Sequence, residues 1–196
     1  MAEITIENIK KLKELSGVGL TDAKKALVEA DGDFDKALKA MREKGLTKAE
    51  KRGDRETREG IVDAYIHDGR LGAIIEVNCE TSFVANTDEF KDLAHKLAMQ
   101  VASMAPLYVS EEDIPAETMK AKMEEFEANF KGPETMKEQI LSGQVKKAFS
   151  DKVLMLQPYI LDDSKTVAEF IKEMIAKTGE NITVKQFKRI ELGVTE

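Results

Sequence analysis

Residues 61–77 read Ile-Val-Asp-Ala-Tyr-Ile-His-Asp-Gly-Arg-Leu-Gly-Ala-Ile-Ile-Glu-Val, two runs rich in strand-forming residues on either side of Asp68-Gly69. An Asp-Gly pair between such runs is typical of a two-residue hairpin loop, because both central residues of that turn need positive φ. We therefore predict an antiparallel hairpin of strands 61–67 and 71–77.

After the hairpin, the hydrophobic spacing changes to that of a helix. Apolar residues recur every three or four positions over 90–101, and Pro106 then ends the pattern. The sequence predicts a helix over these residues, followed by a short strand at 107–109.

The remainder of the chain alternates between helix and strand signals. Amphipathic segments at 119–130 and 136–148 flank Gly132-Pro133 and predict a helical hairpin. Thr166 and Glu169 have capping-box spacing before another helix, and Ile182 begins a last strand. This order predicts an α+β core with a small antiparallel sheet over residues 61–196.

Before the hairpin, residues 1–45 predict three short helices that form a separate domain. Thr5 is suited to cap the first helix and Thr21 the second, and Gly32 ends the second. The third helix carries an apolar face at i, i+3, i+4 and i+7, made of Phe34, Ala37, Leu38 and Met41, with Gly45 at its end.

The domain boundary falls at residues 46–60, which contain nine charged residues, five basic and four acidic. We interpret this segment as a solvated helix or linker. Mixed signs make it a poor binding track for phosphates, which favour clustered Lys and Arg.

Composition excludes several classes of protein. The 196 residues carry a formal net charge of −7, which argues against a protein that coats nucleic acid. Cys79 is the single cysteine and His67 and His95 are the two histidines, so a disulfide framework is excluded and structural zinc is not expected. No apolar run approaches the roughly 18 residues of a bilayer span, and the N-terminus has no signal-peptide pattern, so we expect a cytoplasmic protein.

Signals of catalysis are weak. The chain has no phosphate-binding loop, dinucleotide fingerprint or nucleophile elbow. Cys79 ends an apolar strand, as a small buried residue would, and the acidic trio 111–113 is expected in a solvated turn. We predict no catalytic residue, no cofactor and no metal site.

Residues 78–85 permit two interpretations. Phe83 lies seven residues before Phe90, so one continuous helix would bury it in the core. Alternatively, Thr81 caps a short turn that exposes Phe83 as an anchor for a partner's pocket. Periodicity is compatible with both.

Two long segments resemble the signature segments of the bacterial translation elongation factor Ts family. They are Leu-Ser-Gly-Val-Gly-Leu-Thr-Asp-Ala-Lys-Lys-Ala-Leu at 15–27 and Glu-Val-Asn-Cys-Glu-Thr-Ser-Phe-Val-Ala at 76–85. Shorter matches occur along the whole chain, among them Asp31-Gly-Asp33, Gln157-Pro158-Tyr159 and Gly179-Glu-Asn-Ile182.

The resemblance implies a guanine-nucleotide exchange factor for elongation factor Tu, the GTPase that delivers aminoacyl-tRNA. It also implies a ubiquitin-associated-like fold for the three N-terminal helices. Thr81, Ser82, Phe83 and Val84 match the family's Thr-Asp-Phe-Val segment, whose aromatic side chain enters the GTPase domain and disturbs the Mg²⁺ and phosphate site. The family's N-terminal contact region corresponds to Lys11, Leu12, Gly17, Val18, Gly19 and Leu20.

Ser82 departs from the Asp that is usual in the family. Serine retains the ability to cap a helix but lacks the negative charge. We therefore expect Phe83 to act as a wedge and Ser82 to contribute local geometry.

Longer family members carry two related core halves, whereas 196 residues leave room for one. We predict a homodimer formed through an apolar sheet face near the strand from Ile182, with no direct contact to nucleic acid or membrane. Two alternatives remain open: a non-catalytic ubiquitin-associated-like binding module, and an acidic RNA-associated translation protein.

Overall fold

The computed structural model describes residues 4–16, 19–41, 52–130 and 136–194. Gly17, Val18, the cap predicted at Gly45, the first six residues of the predicted linker and the Gly132-Pro133 turn lie outside the described residues.

Helices and strands alternate after three N-terminal helices, in agreement with the predicted α+β class. The helices are α1 (Ile6–Ser16), α2 (Leu20–Glu29), α3 (34–41 within the described residues), α4 (Ser82–Ala85), α5 (Asp88–Met104), α6 (Ala116–Ala128), α7 (Lys137–Ala148) and α8 (Val167–Thr178). The strands are β1 (Glu59–His67), β2 (Leu71–Cys79), β3 (Pro158–Tyr159), β4 (Asp162–Thr166) and β5 (Ile182–Glu191).

The chain divides into two compact units. The first comprises residues 1–62, 76–93 and 169–184, and the second comprises residues 63–75, 94–168 and 185–196. Strands pair in the orders β1-β2-β5 and β3-β4.

In the first unit, α1, α2 and α3 pack around a small apolar core. The Thr5 hydroxyl caps α1, accepting a hydrogen bond from the Asn8 amide at 3.1 Å, as predicted. Thr21 does not cap α2, because the helix begins two residues earlier than predicted, at Leu20, with Gly19 as its N-cap. The buried residues are Ile9, Leu12, Ala23, Ala26, Leu27, Ala37 and Met41.

The β1-β2 hairpin forms as the sequence predicts. Asp68 and Gly69 have φ of 48° and 64°, and the Arg70 amide donates to the His67 carbonyl at 2.9 Å. These are the positive φ values that a two-residue hairpin loop requires.

Helix α5 is also confirmed, since all four of its predicted apolar positions, Phe90, Leu93, Leu97 and Val101, are buried. The strand predicted at 107–109 is wrong, because only an isolated bridge joins Tyr108 to Val153. The amides of residues 107 and 108 both donate to the Lys152 carbonyl, and the facing residues 154–156 form a 3₁₀ turn, so no ladder extends.

In the second unit, α6 and α7 form the predicted helical hairpin. Their core contains Val145 and Phe149 with Ile114 and Val153, and α6 adds methionines and a phenylalanine at the edge: Met119, Met123 and Phe126. None of the described helices is long and apolar enough to cross a membrane.

Candidate functional site

Phe83 lies on a sharp corner between strand and helix. After β2 ends at Cys79, Thr81 is extended and acts as the N-cap of α4, which ends at Ala85 before α5 begins. Phe83 is 86% exposed, whereas Ala85 is buried. The structure therefore excludes the core interpretation of Phe83, because α4 and α5 are separate helices.

Local hydrogen bonds hold this corner in one conformation. The Thr81 hydroxyl accepts from the Val84 amide at 3.5 Å, and the Asn86 side chain donates to the Ser82 carbonyl at 2.8 Å. The Thr87 hydroxyl donates to the Val84 carbonyl at 2.8 Å. Phe83 thus projects from a turn whose backbone is already fixed, which reduces the entropy that a binding partner must remove.

Cys79 lies beneath the corner and is unsuited to nucleophilic chemistry. Its Sγ donates to the Thr81 carbonyl at 3.2 Å, and the side chain is buried. Burial raises the pKa of the Cys79 thiol, and the negative charge of Glu180 adds to the increase. The thiol is therefore neutral at neutral pH, whereas a reactive cysteine requires a thiolate.

The predicted N-terminal contact residues divide into exposed and buried. Lys11 is exposed, with its Nζ 5.6 Å from the centre of the Phe34 ring. Gly19 is exposed and Leu20 is 52% exposed. Leu12 is 0% exposed and packs in the three-helix core, so its predicted surface contact is wrong. Gly17 and Val18 lie outside the described residues.

The described part of the predicted linker is mostly exposed, but distant residues also hold it by hydrogen bonds, which sequence reasoning missed. The Asn181 side chain donates to the Gly53 carbonyl at 3.1 Å and to the Arg55 carbonyl at 2.8 Å. The hydroxyls of Thr57 and Thr183 are 2.8 Å apart. Partners separated by more than 120 positions leave no local signal in a charged segment.

One face of the sheet in the second unit is apolar and open. Ile66 and Ile190 are 71% and 77% exposed, and they line a groove of about 380 Å³. Its other large apolar residues are Leu71, Ile74 and Leu192, and Arg70 and Lys188 add two positive charges.

The remaining candidates have structural partners. His95 Nδ1 lies 3.2 Å from an Asp63 carboxylate oxygen, and the Tyr65 hydroxyl lies 3.0 Å from His67 Nδ1. In the acidic trio, the Asp113 carboxylate accepts from the Ser110 amide at 2.8 Å as part of a capping box. Within the described ranges, no group of three or more acidic, histidine or cysteine residues is arranged to hold a metal ion.

Comparison with known proteins gives consistent matches along the chain. The family described as "Elongation factor TS" matches residues 3–194. Elongation factor Ts of Thermotoga maritima is 52% identical over 193 residues, which covers 97% of each chain. The Coprothermobacter proteolyticus protein of the same name is 46% identical, covering 97% of this chain and 99% of the relative, and that of Thermoanaerobacter pseudethanolicus is 45% identical, covering 97% and 95%.

Proposed function

The chain belongs to the elongation factor Ts family, and from that premise we propose that it is a guanine-nucleotide exchange factor for elongation factor Tu, acting in the cytoplasm. Such a factor needs no covalent step. It binds the nucleotide-free GTPase more tightly than the nucleotide-bound form, and linkage then requires that it weaken GDP binding by the same factor.

The observation that carries the proposal is the exposure of Phe83 on a fixed turn. A large aromatic that is 86% exposed makes little contribution to its own fold, yet it is well suited to fill a pocket on a partner. We assign Phe83 the role of a wedge that enters the GTPase domain and disturbs the Mg²⁺ and phosphate site. Thr81 supports this role as the N-cap of α4, and we assign Ser82 and Val84 to the same partner-binding segment.

A second grip comes from the three-helix domain. Its surface around the start of α2 presents Gly19 and Leu20, and Lys11 adds a positive charge on α1. We assign these residues, with Gly17 and Val18, to the contact that anchors the factor on elongation factor Tu. Leu12 supports this surface from within the core.

Release of fluorescent GDP tests the exchange function directly. Purified elongation factor Tu is loaded with the labelled nucleotide, excess unlabelled GDP is added, and release is followed with and without the chain. We expect release to accelerate with the concentration of the chain and to saturate. A release rate that the folded chain does not change would refute the proposal, and heat-denatured chain provides the blank.

We also propose that the chain forms a homodimer through the open sheet face. Exposed apolar patches of this kind are rare on monomers, and antiparallel sheets usually cover one face at least. Ile66, Ile74, Ile190 and Leu192 form a face with few charges, which a second copy can cover across a twofold axis.

Light scattering at micromolar concentration measures this assembly. We expect the mass of a dimer for the wild-type chain and the mass of a monomer for Ile66→Asp, because dimer formation would remove the new carboxylate from water in a mainly apolar interface. Val28→Asp, on an exposed position of α2, is the matched control and retains the dimer. A monomeric wild-type chain would contradict the proposal.

A further inference from the structure

Two loops that are a hundred residues apart are joined at the Phe83 corner, because a glutamate of each loop accepts hydrogen bonds from the other loop. The Glu180 carboxylate accepts two hydrogen bonds from Thr81, one from the amide at 3.0 Å and one from the hydroxyl at 2.5 Å. In return, the Glu80 carboxylate accepts from the Asn181 amide at 2.6 Å. We call these four residues, Glu80, Thr81, Glu180 and Asn181, the glutamate clasp.

The clasp fixes the residue on which the orientation of α4 depends. Thr81 is the N-cap, and a helix of four residues has too few internal hydrogen bonds to be stable alone. The Thr81 carbonyl accepts from the Cys79 thiol and from the Ala85 amide, so the amide, hydroxyl and carbonyl of Thr81 all have partners. Phe83, two residues further on, takes its direction from this anchored residue.

The other half of the clasp is equally well anchored. Asn181 is buried, and its side chain holds two carbonyls of the linker. A guanidinium nitrogen of Arg55 also lies 3.3 Å from the Glu80 carboxylate. Glu180 therefore extends from a loop that is itself fixed, as a positioning group must.

We propose that Glu180 is a positioning residue for nucleotide exchange, which holds Phe83 in the direction required to enter the GTPase. This inference rests on the proposed exchange function. Glu180 acts through Thr81: its ionised carboxylate accepts both hydrogen bonds, and charge-assisted bonds of this kind are roughly twice as strong as neutral ones.

The test compares Glu180→Ala, Glu180→Gln and Phe83→Ala in the GDP-release assay, with the chain titrated against elongation factor Tu. We expect Glu180→Ala to lower the maximal release rate by about tenfold, because Thr81 loses two charge-assisted bonds. The half-saturating concentration should change little, because the N-terminal grip is intact. Glu117→Ala removes an equal charge from an exposed position in α6 and is the matched control.

Cys79 supplies a second readout that does not depend on the GTPase. It is the single cysteine, is buried, and bonds to the Thr81 carbonyl, so its labelling by a maleimide reports opening of the corner. Glu180→Ala and Glu180→Gln both remove the charge that, together with burial, raises the pKa of the Cys79 thiol, so they are compared with each other. We expect faster labelling in Glu180→Ala, which has lost both acceptors for Thr81, and labelling at the wild-type rate in Phe83→Ala and Glu117→Ala.

The outcomes separate this inference from the proposed function. Wild-type release by folded Glu180→Ala, together with reduced release by Phe83→Ala, would overturn the positioning role alone. Reduced release by Glu180→Ala, with Cys79 labelled no faster than in Glu180→Gln, would also overturn it, because Glu180 would then act on the partner directly. Wild-type release by Phe83→Ala would overturn the wedge itself. Glu180→Gln retains one acceptor for Thr81, so it should fall between the wild type and Glu180→Ala, and it carries the test if the alanine variant fails to fold.

Discussion

Replacing Phe83 with alanine should separate exchange activity from fold stability. The side chain is 86% exposed, so its removal deletes almost no buried area, and the free energy of unfolding should change by less than about 0.5 kcal/mol. Alanine also retains the helical backbone of α4, because its helix propensity exceeds that of phenylalanine. The fold should therefore survive the change, as measured by urea or thermal unfolding.

The loss of activity can be estimated from the area that Phe83 has available to bury. Full burial of a phenylalanine side chain stabilises a complex by about 1.5–3 kcal/mol. If that energy is realised only when GDP leaves, its loss lowers the GDP release rate by about 10- to 150-fold, since each 1.36 kcal/mol is a factor of ten. Release of fluorescent GDP from elongation factor Tu at saturating factor measures this change.

A matched control removes another exposed apolar side chain. Leu107 is 63% exposed and lies outside the Phe83 segment, so Leu107→Ala should leave GDP release unchanged. Wild-type release by a stably folded Phe83→Ala variant would refute the wedge. An equal loss in both variants would show that exposed apolar surface in general, and not Phe83, promotes release.

Three further predictions concern packing and titration. Gly60→Ala should destabilise the fold by about 1–3 kcal/mol or more, because the new Cβ would lie 2.2 Å from the Val77 carbonyl oxygen. Gly143→Ala, which has open space around it in α7, should instead stabilise the fold by about 1 kcal/mol. Urea unfolding measures both changes. Leu12→Ala should lower the free energy of unfolding by about 2–5 kcal/mol, because Leu12 is buried in the three-helix core. Leu20→Ala should leave the free energy of unfolding unchanged and weaken binding to elongation factor Tu, which calorimetry measures. Burial raises the pKa of the Cys79 thiol in the folded state, so the thiol loses its proton at a lower pH in the unfolded chain than in the folded chain. The free energy of unfolding should therefore fall more steeply above pH about 8.5 in the wild type than in Cys79→Ala.

The sequence was sufficient where a local signal and burial agree. Asp68-Gly69 predicts its hairpin because few other residue pairs adopt two positive φ angles in succession. The apolar face of α5 predicts its helix because Phe90 and Leu97 must share one side of it to be buried. For α4 the sequence left two interpretations open, and the structure selects the one in which Thr81 is the N-cap and Phe83 lies outside the core.

Where structure depends on distant partners, the sequence was insufficient. Strand β4 was missed for a local reason: Asp-Asp-Ser-Lys-Thr has no hydrophobic alternation, and its partner β3, just before it in the chain, has only two residues. The family resemblance places Leu12 in the N-terminal contact region, but its side chain faces the core of the three helices. Glu80 bonds to Asn181 and Glu180 to Thr81, each across about a hundred residues, and the sequence of neither loop indicates its partner.

The energetics of exchange explain why one exposed aromatic needs the rest of the chain. A ten-thousandfold acceleration of GDP release requires about 5.5 kcal/mol of differential binding, whereas burial of Phe83 supplies at most about 3 kcal/mol. The remainder must come from a second contact, which the three-helix domain provides in our proposal. Two contacts on one partner act together only if their connection costs little entropy. Asn181 meets part of that requirement, since it holds the linker at Gly53 and Arg55 with its side chain and Glu80 with its backbone amide. We therefore expect loss of the Asn181 side chain to slow GDP release, although Asn181 belongs to neither of the two proposed contacts with elongation factor Tu.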